Sequence, residues 1–191
     1  MHAGITVAVP AHPARLTNGL LARALTSVWT QTYPPAAVSG AVDVHREGAA
    51  VTRQRALDQV GTDWVAFLDS DDELLPQHLD RLSICAEQTG ADFVYSWFEP
   101  VGMADPLGHF GIPFDVAHPH HTTMTVLVRT DLARRVGFVA AEAGASCGNE
   151  DWRFICGLAA GGARMVHLAE RTWRYHAHGG NTSGIPGRGD A

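Results

Sequence analysis

The sequence predicts an α/β fold with a mostly parallel central sheet that is flanked by helices. Short apolar segments rich in β-branched residues alternate with segments of helical periodicity, and turn residues separate them. Each segment has the length of one strand or one helix. Alternation of this kind requires right-handed crossovers, which place ligands beyond the carboxyl ends of the strands.

The first half of the chain carries the alternation most clearly. Its predicted elements are strand 5–9, which ends at Pro10, helix 16–29, strand 41–44, helix 49–60, strand 64–68, a helix opened by Pro76, and strand 92–97. Acidic residues follow the third of these strands directly.

The second half begins with a long segment that has no periodicity. Residues 98–121 are rich in Pro, Gly and His, and we interpret them as a loop on the acceptor side of a binding site. The elements predicted after it are strand 123–128, helix 131–136, helix 152–160 and strand 165–168. We expect one domain over 1–191, with a ligand-binding half at 1–97, a catalytic half at 98–183 and a flexible tail at 184–191.

Composition excludes several classes of protein. With 46% hydrophobic and 18% charged residues, the 191-residue chain has the balance of a globular domain. A net charge of -6 without a basic run argues against nucleic-acid binding. The three cysteines have no CxxC spacing, the start lacks a signal-peptide pattern, and no apolar run is long enough to span a membrane. These features predict a cytoplasmic protein.

The strongest local signal is the run Phe67-Leu-Asp-Ser-Asp-Asp72. Three carboxylates within four residues repel one another unless a cation lies between them. The alternative is a solvated acidic turn that caps the helix opened by Pro76.

Six segments, taken in order, resemble the motifs of family 2 glycosyltransferases. They are ITVAVPAH, SVWTQTYP, AAVTRQRAL, VAFLDSDDELLP, GNEDWRF and WRYHAHGGNTS, and they are spread over about residues 4–183, nearly the whole chain. The resemblance implies a glycosyltransferase-A fold, which is Rossmann-like, together with a nucleotide-sugar donor, a divalent metal and inversion at the anomeric carbon.

The resemblance implies two metal ligands. Asp71 corresponds to the metal-binding carboxylate of the family's DxD motif, and His178 to a C-terminal histidine that reaches the metal or the diphosphate. His176 lies two residues away, is expected to share a strand face with His178, and is an alternative to it. Asp72 is a spare acid. A hard ion such as Mn²⁺ or Mg²⁺ suits these ligands and neutralises charge on a leaving phosphate.

The nucleotide-sugar site is expected to include five residues. By resemblance, Asp69 binds the ribose, Asp43 reads the base, and Arg53 offsets the charge of the diphosphate. Pro10 and Ser70 belong to the same motifs. A surface helix arginine is the alternative for Arg53. The sequence after Asp43 departs from the family pattern, so the base it reads stays open.

The family's general base corresponds to Asp151, which takes the proton of the acceptor hydroxyl as that oxygen attacks the sugar. Glu150 is the second candidate because a shift of one residue would exchange the two roles. The alternative for Asp151 is an acid in the first turn of a helix that complements the helix dipole.

Several residues of the 98–121 loop and its edge have more than one interpretation. We favour acceptor-loop residues for His118, His120 and His121, with surface residues or a zinc site as alternatives. Sugar stacking and core packing are both open for Trp97, Phe98, Phe110 and Phe114.

These observations predict an inverting, metal-dependent glycosyltransferase. Its donor would be a nucleotide-diphosphate sugar, UDP-linked in preference to GDP-linked, and its acceptor a glycan, a protein or a small molecule. A catalytically silent protein of the same fold that only binds nucleotide or glycan is the alternative. A nucleotidyltransferase is disfavoured because no Gly-rich phosphate loop follows the first strand.

Overall fold

A computed structural model describes residues 4–105, 107–118, 122–139 and 150–178. These residues form one sheet of seven strands: β1 (Ile5–Ala11), β2 (Ala37–Val42), β3 (Trp64–Phe67), β4 (Glu73–Leu74), β5 (Phe93–Val101), β6 (Val126–Arg129) and β7 (Met165–His176). The helices are α1 (Leu20–Trp29), α2 (Ala49–Asp58), α3 (His78–Thr89), α4 (Thr130–Val136) and α5 (Glu150–Ala160), with 3-10 helices at Pro13–Leu16 and Leu107–His109.

The strands lie in the order β2-β1-β3-β6-β5-β7-β4. Strand β1 pairs in parallel with both β2 and β3, and β5 pairs in parallel with β7. Strand β6 is antiparallel to both β3 and β5, and β4 is antiparallel to β7. Five strands therefore run in one direction, which confirms the predicted α/β fold with a mostly parallel sheet.

Helices cover both faces of the sheet because the side chains of each strand alternate between two cores. Val7 of β1 belongs to a core that includes Val28 of α1 and Leu82 of α3. Ala8, the next residue, belongs to a second core with Leu57 of α2 and residues of α4 and α5. Strands buried on both faces read as continuous apolar runs, as β1 and β3 do in the sequence.

The sequence predicts that the first strand ends at Pro10, but β1 continues through Pro10 to Ala11. Odd residues of β1 bond toward β2, since the carbonyl of Ala11 accepts from Asp43 N at 2.9 Å. Even residues bond toward β3, since the carbonyl of Ala8 accepts from Leu68 N at 3.1 Å. The pairing with β3 ends at Ala8, so the missing N–H of Pro10 costs no ladder hydrogen bond.

Helix boundaries differ from the prediction where glycine or proline redirects the chain. The first predicted helix divides into the 3-10 helix Pro13–Leu16 and α1, because Gly19 adopts a φ of 80° before α1 begins. Helix α3 begins at His78, two residues after Pro76. The carbonyl of Pro76 instead accepts a hydrogen bond from Thr32 N at 2.8 Å.

Strand boundaries differ most from the prediction in the C-terminal part of the chain. Strand β7 runs for 12 residues, whereas the sequence predicts a strand only over 165–168. Its second half pairs with β4, which is two residues long and was not predicted, and with the end of β5, which continues to Val101. Smaller shifts affect β2, which covers 37–42 instead of 41–44, and β6, which covers 126–129 instead of 123–128.

Candidate active site

A cleft of about 710 Å³ opens at the carboxyl ends of β1, β2 and β3. The first residues of α2 and α5 form part of its wall. The cleft is lined by Pro10, Ala11, His12, Ala14, Arg15, Asp43, Gly48, Ala49, Thr52, Arg53, Asp69, Ser70, Asp71, Asp72, Glu150, Asp151 and Tyr175. Eight of the nine residues that the sequence assigns to a site are in this set, and the ninth, His178, contacts one of them.

Asp71 is held by groups from three separate segments. Its Oδ2 accepts a hydrogen bond from Arg15 Nη2 at 2.9 Å and lies 2.9 Å from His178 Nε2. Its backbone carbonyl accepts from Arg23 Nη2 of α1 at 2.7 Å. Because Arg15 follows β1 and His178 follows β7, the fold brings the two ends of the described chain together at this carboxylate.

Asp72 is oriented toward the interior and is only 3% exposed. Its Oδ1 accepts a hydrogen bond from the backbone N of His176 at 3.1 Å. Burial raises the pKa of the Asp72 carboxyl well above its ordinary value, and the charges of Asp69 and Asp71 add to this effect. Asp72 is therefore a less suitable cation ligand than Asp71.

The two candidate histidines lie near different acids. Strand β7 ends at His176, whose Nε2 is 3.3 Å from Glu73 Oε2. His178 lies beyond the strand and contacts Asp71. The expectation that the two histidines share one strand face is wrong, because the strand does not reach His178.

Arg53 is 7% exposed, so the surface alternative for this residue is wrong. Its Nη2 donates to Asp69 Oδ1 at 2.8 Å, and its Nη1 donates to Glu150 Oε1. Burial alone would lower the pKa of the guanidinium, but the neighbouring charges of Asp69 and Glu150 raise it. Arg53 thus stays charged and joins the end of β3 to the start of α5 through α2.

The neighbouring acids Glu150 and Asp151 differ in their contacts. Glu150 pairs with Arg53. Among the described residues, the Asp151 side chain has one hydrogen bond, in which its Oδ1 accepts from Trp152 N at 2.8 Å. Burial raises the pKa of the Asp151 carboxyl, Arg53 opposes this shift, and Glu150 adds to it. A half-buried carboxylate with a raised pKa in a cleft is suited to accept a proton.

Asp43 follows β2 and holds the loop that leads into α2. Its two carboxylate oxygens accept from Glu47 N at 2.7 Å and from Gly48 N at 2.9 Å. The bond from Glu47 lowers the pKa of Asp43, and burial opposes this shift. Each oxygen keeps a further lone pair that a ligand could use.

The lining or supporting residues that the sequence analysis missed include four with ionisable side chains, His12, Arg15, Arg23 and Tyr175. Position offered a signal for His12 and Arg15, because a loop that follows a strand of a parallel sheet lies at the same edge as the acidic run. The negative charge of the acidic run was a second signal, because clustered carboxylates require cationic groups nearby. Arg23 and Tyr175 lie inside α1 and β7, where side-chain direction depends on the tertiary fold.

The predicted acceptor loop is only partly described. Trp97 and Phe98 are 3% and 4% exposed and belong to the core, which excludes sugar stacking by these two rings. Phe110 is exposed and lies under the guanidinium of Arg171. His118 Nδ1 is 2.7 Å from Asp115 Oδ2, whereas His120 and His121 lie outside the described residues.

Comparison with known proteins decides the family. Residues 42–141, more than half of the chain, match the family described as glycosyl transferase family 2. The chain belongs to glycosyl transferase family 2. The matched range includes the Asp69 to Asp72 run, Asp43 and Arg53. No curated protein matches the sequence.

The fold of this family 2 chain is similar to that of TarS from S. aureus. TarS 1–349 in complex with UDP-GlcNAc gives a TM-score of 0.74 at 16% identity, covering 93% of this chain and 60% of that one. A longer TarS structure gives a TM-score of 0.73 at 17% identity, covering 91% of this chain and 37% of that one. The chain thus spans about 60% of TarS 1–349, and the predicted glycosyltransferase-A fold is confirmed.

The described residues include neither a membrane-spanning helix nor a cluster of three metal-ligating side chains. Within the described ranges, no helix is both long and apolar enough to cross a membrane. In the same part of the chain, no group of three or more His, Cys, Asp or Glu side chains is arranged as a metal site.

Proposed function

We propose that this family 2 member is an inverting, metal-dependent glycosyltransferase that uses a UDP-linked sugar. The observation that carries the proposal is the meeting of two acidic motifs in one cleft: Asp69 and Asp71 follow β3, and Glu150 and Asp151 begin α5. One motif supplies ligands for the charged end of a donor, and the other supplies a base for the acceptor.

The residues around Asp71 fit a divalent ion. Its Oδ2 and His178 Nε2 are 2.9 Å apart, so both atoms can turn toward one ion. Ions such as Mg²⁺ bind through one or two protein ligands, with substrate phosphates and water completing the shell. Asp71 and His178 would hold the ion, which when bound would neutralise charge on the leaving diphosphate.

The charged side chains that line the cleft are mostly negative, which favours binding of a divalent cation together with an anionic donor. Six acids and two arginines line it. Arg53 is already paired with Asp69 and Glu150, which leaves little positive charge for a diphosphate. An anionic donor would therefore bind far better with a divalent cation than without one.

A UDP-linked sugar is proposed as the donor on the basis of the fold and of Asp43, which lies in the cleft after β2. TarS, the structurally similar protein, was crystallised with UDP-GlcNAc and with UDP. Asp43 has spare acceptor lone pairs for a base N–H, and Asp69 is 37% exposed at its side chain and can reach a ribose hydroxyl. Pro10 and Ser70 form the adjacent backbone wall.

Asp151 is proposed as the general base. It accepts the proton of the acceptor hydroxyl while that oxygen forms a bond to the anomeric carbon, and the bond from this carbon to the diphosphate oxygen breaks on the opposite face. One such displacement inverts the anomeric configuration. Glu150 is the weaker candidate because its carboxylate is paired with Arg53.

Binding measurements test the donor class and the metal together. We expect calorimetry to detect UDP only weakly without Mn²⁺ and at least tenfold more tightly with it, and UDP to bind more tightly than GDP. Asp71→Ala should lose the gain from Mn²⁺. Asp131→Ala, which removes a 65%-exposed acid of α4, should keep it. Equal UDP affinity with and without Mn²⁺ would overturn the metal assignment.

The silent-protein alternative predicts the same binding without turnover. Release of UDP from a UDP-sugar in the presence of Mn²⁺ separates the two, since only the enzyme cleaves the donor. The raised pKa of Asp151 favours the enzyme, because a protein that only binds nucleotide needs no proton acceptor beside the site.

A further inference from the structure

One side of α1 holds the backbone of the segment 71–79, which begins in the acidic run and ends in the first turn of α3. Arg23, Ser27 and Gln31 are spaced by four residues, so their side chains lie along one side of the helix and of its C-terminal end. Each of them hydrogen-bonds to backbone groups of this segment. Ser27 and Gln31 belong to the sequence SVWTQTYP, to which the proposed function assigns no role.

The contacts of Ser27 and Gln31 are buried and fix the far part of the segment. Ser27 Oγ, in a residue that is 5% exposed, accepts from Leu74 N at 3.0 Å. Gln31, which is 6% exposed, donates through Nε2 to the carbonyl of Leu75 at 2.8 Å and accepts through Oε1 from Leu79 N at 3.0 Å. Buried backbone groups that lost these partners would stay unsatisfied, so both side chains anchor the segment and stabilise the fold.

The contact of Arg23 lies at the cleft end of the same side of α1. Arg23 Nη2 donates to the backbone carbonyl of Asp71 at 2.7 Å and does not use the carboxylate of that residue. Asp71 lies in a tight turn, in which Asp72 N donates to the carbonyl of Asp69 at 3.1 Å. Because a fixed carbonyl limits rotation of the peptide plane next to the Asp71 Cα, this hydrogen bond also limits the directions in which the side chain can point.

We propose that Arg23 is a positioning residue for Asp71. Ser27 and Gln31 anchor the segment, and Arg23 orients its first residue so that the Asp71 carboxylate faces the cleft where a divalent ion binds. The inference rests on the proposed function, since it needs a metal ion at Asp71. Orientation matters because an ion such as Mg²⁺ demands near-ideal distances and angles from its ligands.

Three roles for Arg23 predict different effects of Arg23→Met on the Mn²⁺ gain, which is the ratio of the UDP dissociation constants without and with Mn²⁺. Loss of a positioning contact misplaces Asp71 and lowers the gain. Loss of a nearby positive charge alone would raise the gain, since the guanidinium repels the ion. A contact that only stabilises the fold would leave the gain of the folded protein unchanged.

Calorimetry with UDP measures the gain, at a temperature where circular dichroism shows that each variant is folded. We expect the gain to fall roughly threefold to tenfold in Arg23→Met, because a small misplacement of one ligand weakens the coordination of the ion. Arg23→Lys keeps a donor for the carbonyl and should recover part of the loss. Arg135→Met, which removes a 62%-exposed arginine of α4, should keep the wild-type gain.

The buried contact of Ser27 should show the opposite pattern. In Ser27→Ala we expect the urea midpoint of unfolding without metal to fall, because Leu74 N loses its partner, and the gain to stay within about twofold of the wild type. Thr26→Val removes the neighbouring hydroxyl, which bonds to the carbonyl of Ala22 within α1, and should change neither quantity. Arg23→Met should lower the midpoint less than Ser27→Ala does, because Arg23 is only partly buried.

Three results would overturn the positioning role. One is a gain in Arg23→Met that is unchanged or larger than in the wild type. Another is an equal fall of the gain in Ser27→Ala and Arg23→Met, since both would then follow from a loosened segment. The third is a wild type and an Arg135→Met without any gain, which overturns the metal assignment of the proposed function and the positioning role with it. Only the first two leave the proposed function standing, so the two failures are distinguishable.

Discussion

At the level of single residues, the adjacent acids Glu150 and Asp151 have different hydrogen-bond partners in the cleft. Side chains of consecutive residues in a helix diverge by about 100°, so Glu150 and Asp151 cannot both face Arg53. Glu150 takes the ion pair, while Asp151 is half-buried with a raised pKa. One acid is then suited to position α5, and the other to accept a proton.

Turnover should depend on pH through the protonation of Asp151. A general base works only when it is deprotonated, so kcat should fall as the pH drops through the pKa of Asp151. Because burial raises that pKa, this acid limb should lie above the range of an ordinary aspartate, near 3.9. In Glu150→Gln the neighbouring negative charge is removed, and the limb should move to lower pH. Rates at saturating donor and Mn²⁺ measure it, and a limb that moved to higher pH in this variant would contradict the assignment.

The acids of the site and Arg53 could be predicted from the sequence, whereas the two other arginines near Asp71, Arg15 and Arg23, could not. Asp69, Asp71, Glu150 and Asp151 stand in compact motifs next to strand and helix boundaries, so their position in the fold could be predicted. Arg15 and Arg23 are single residues without a motif, and long side chains reach their partners from different elements. Their pairing could not be predicted, because it depends on how far the loop after β1 lies from β3.

At the scale of elements, Arg53 is the junction of α2, β3 and α5. Its side chain is 9% exposed, and its two terminal nitrogens bind acids from the other two elements. On the same helix, Arg55 makes an ion pair with Glu47 in which both side chains are about 40% exposed. The two arginines form a matched pair for testing what burial adds to an ion pair.

We predict that Arg53→Met lowers the free energy of unfolding by about 3–5 kcal/mol, because it leaves two partly buried acids without their cation. Arg55→Met should cost less than about 1 kcal/mol, since exposed pairs contribute little. Urea denaturation without metal measures both values. Equal costs for the two variants would show that burial adds nothing to the stabilisation by the Arg53 ion pairs.

A second element-scale prediction concerns the packing of α5 on α4. A Cβ added to Gly157 of α5 would lie 2.6 Å from Val136 Cγ1 of α4, which is too close for two carbons. Alanine favours a helix over glycine by about 1 kcal/mol, but overpacking costs about 1–3 kcal/mol. Gly157→Ala should therefore destabilise the wild type, yet stabilise a Val136→Ala background. A double-mutant cycle measures this, and additive effects would contradict the contact.

The elements that sequence patterns failed to predict are those fixed by long-range pairing. Strand β7 continues through Glu170, Arg171 and Arg174, whose charges hide the strand pattern, and it is held by β5 and β4 on either side. Strand β4 has two residues and no periodicity to detect. By contrast, β1 and β3 are buried on both faces, and their continuous apolar runs were sufficient to predict them.

At the scale of the whole molecule, the mostly parallel sheet explains why the site lies where it does. Carboxyl ends of β1, β2 and β3 meet at one edge, and the chain returns to that edge at the start of α5 and after β7. Family membership and the fold agree with this arrangement. The donor, the metal and the base are proposals that rest on the residues at this edge.

Asp151 is proposed to accept the proton of the acceptor in a site where other residues bind the donor. The most direct test compares Asp151→Asn with the wild type for two quantities in the same preparation: affinity for a UDP-sugar with Mn²⁺, and the rate of sugar transfer to the best acceptor in a panel. Asparagine keeps the shape of the side chain but cannot accept the proton. We expect donor affinity within about twofold of the wild type and a transfer rate lower by roughly 10² to 10⁴-fold. Transfer near the wild-type rate in Asp151→Asn, with Glu150→Gln inactive, would contradict the account and assign the base to Glu150.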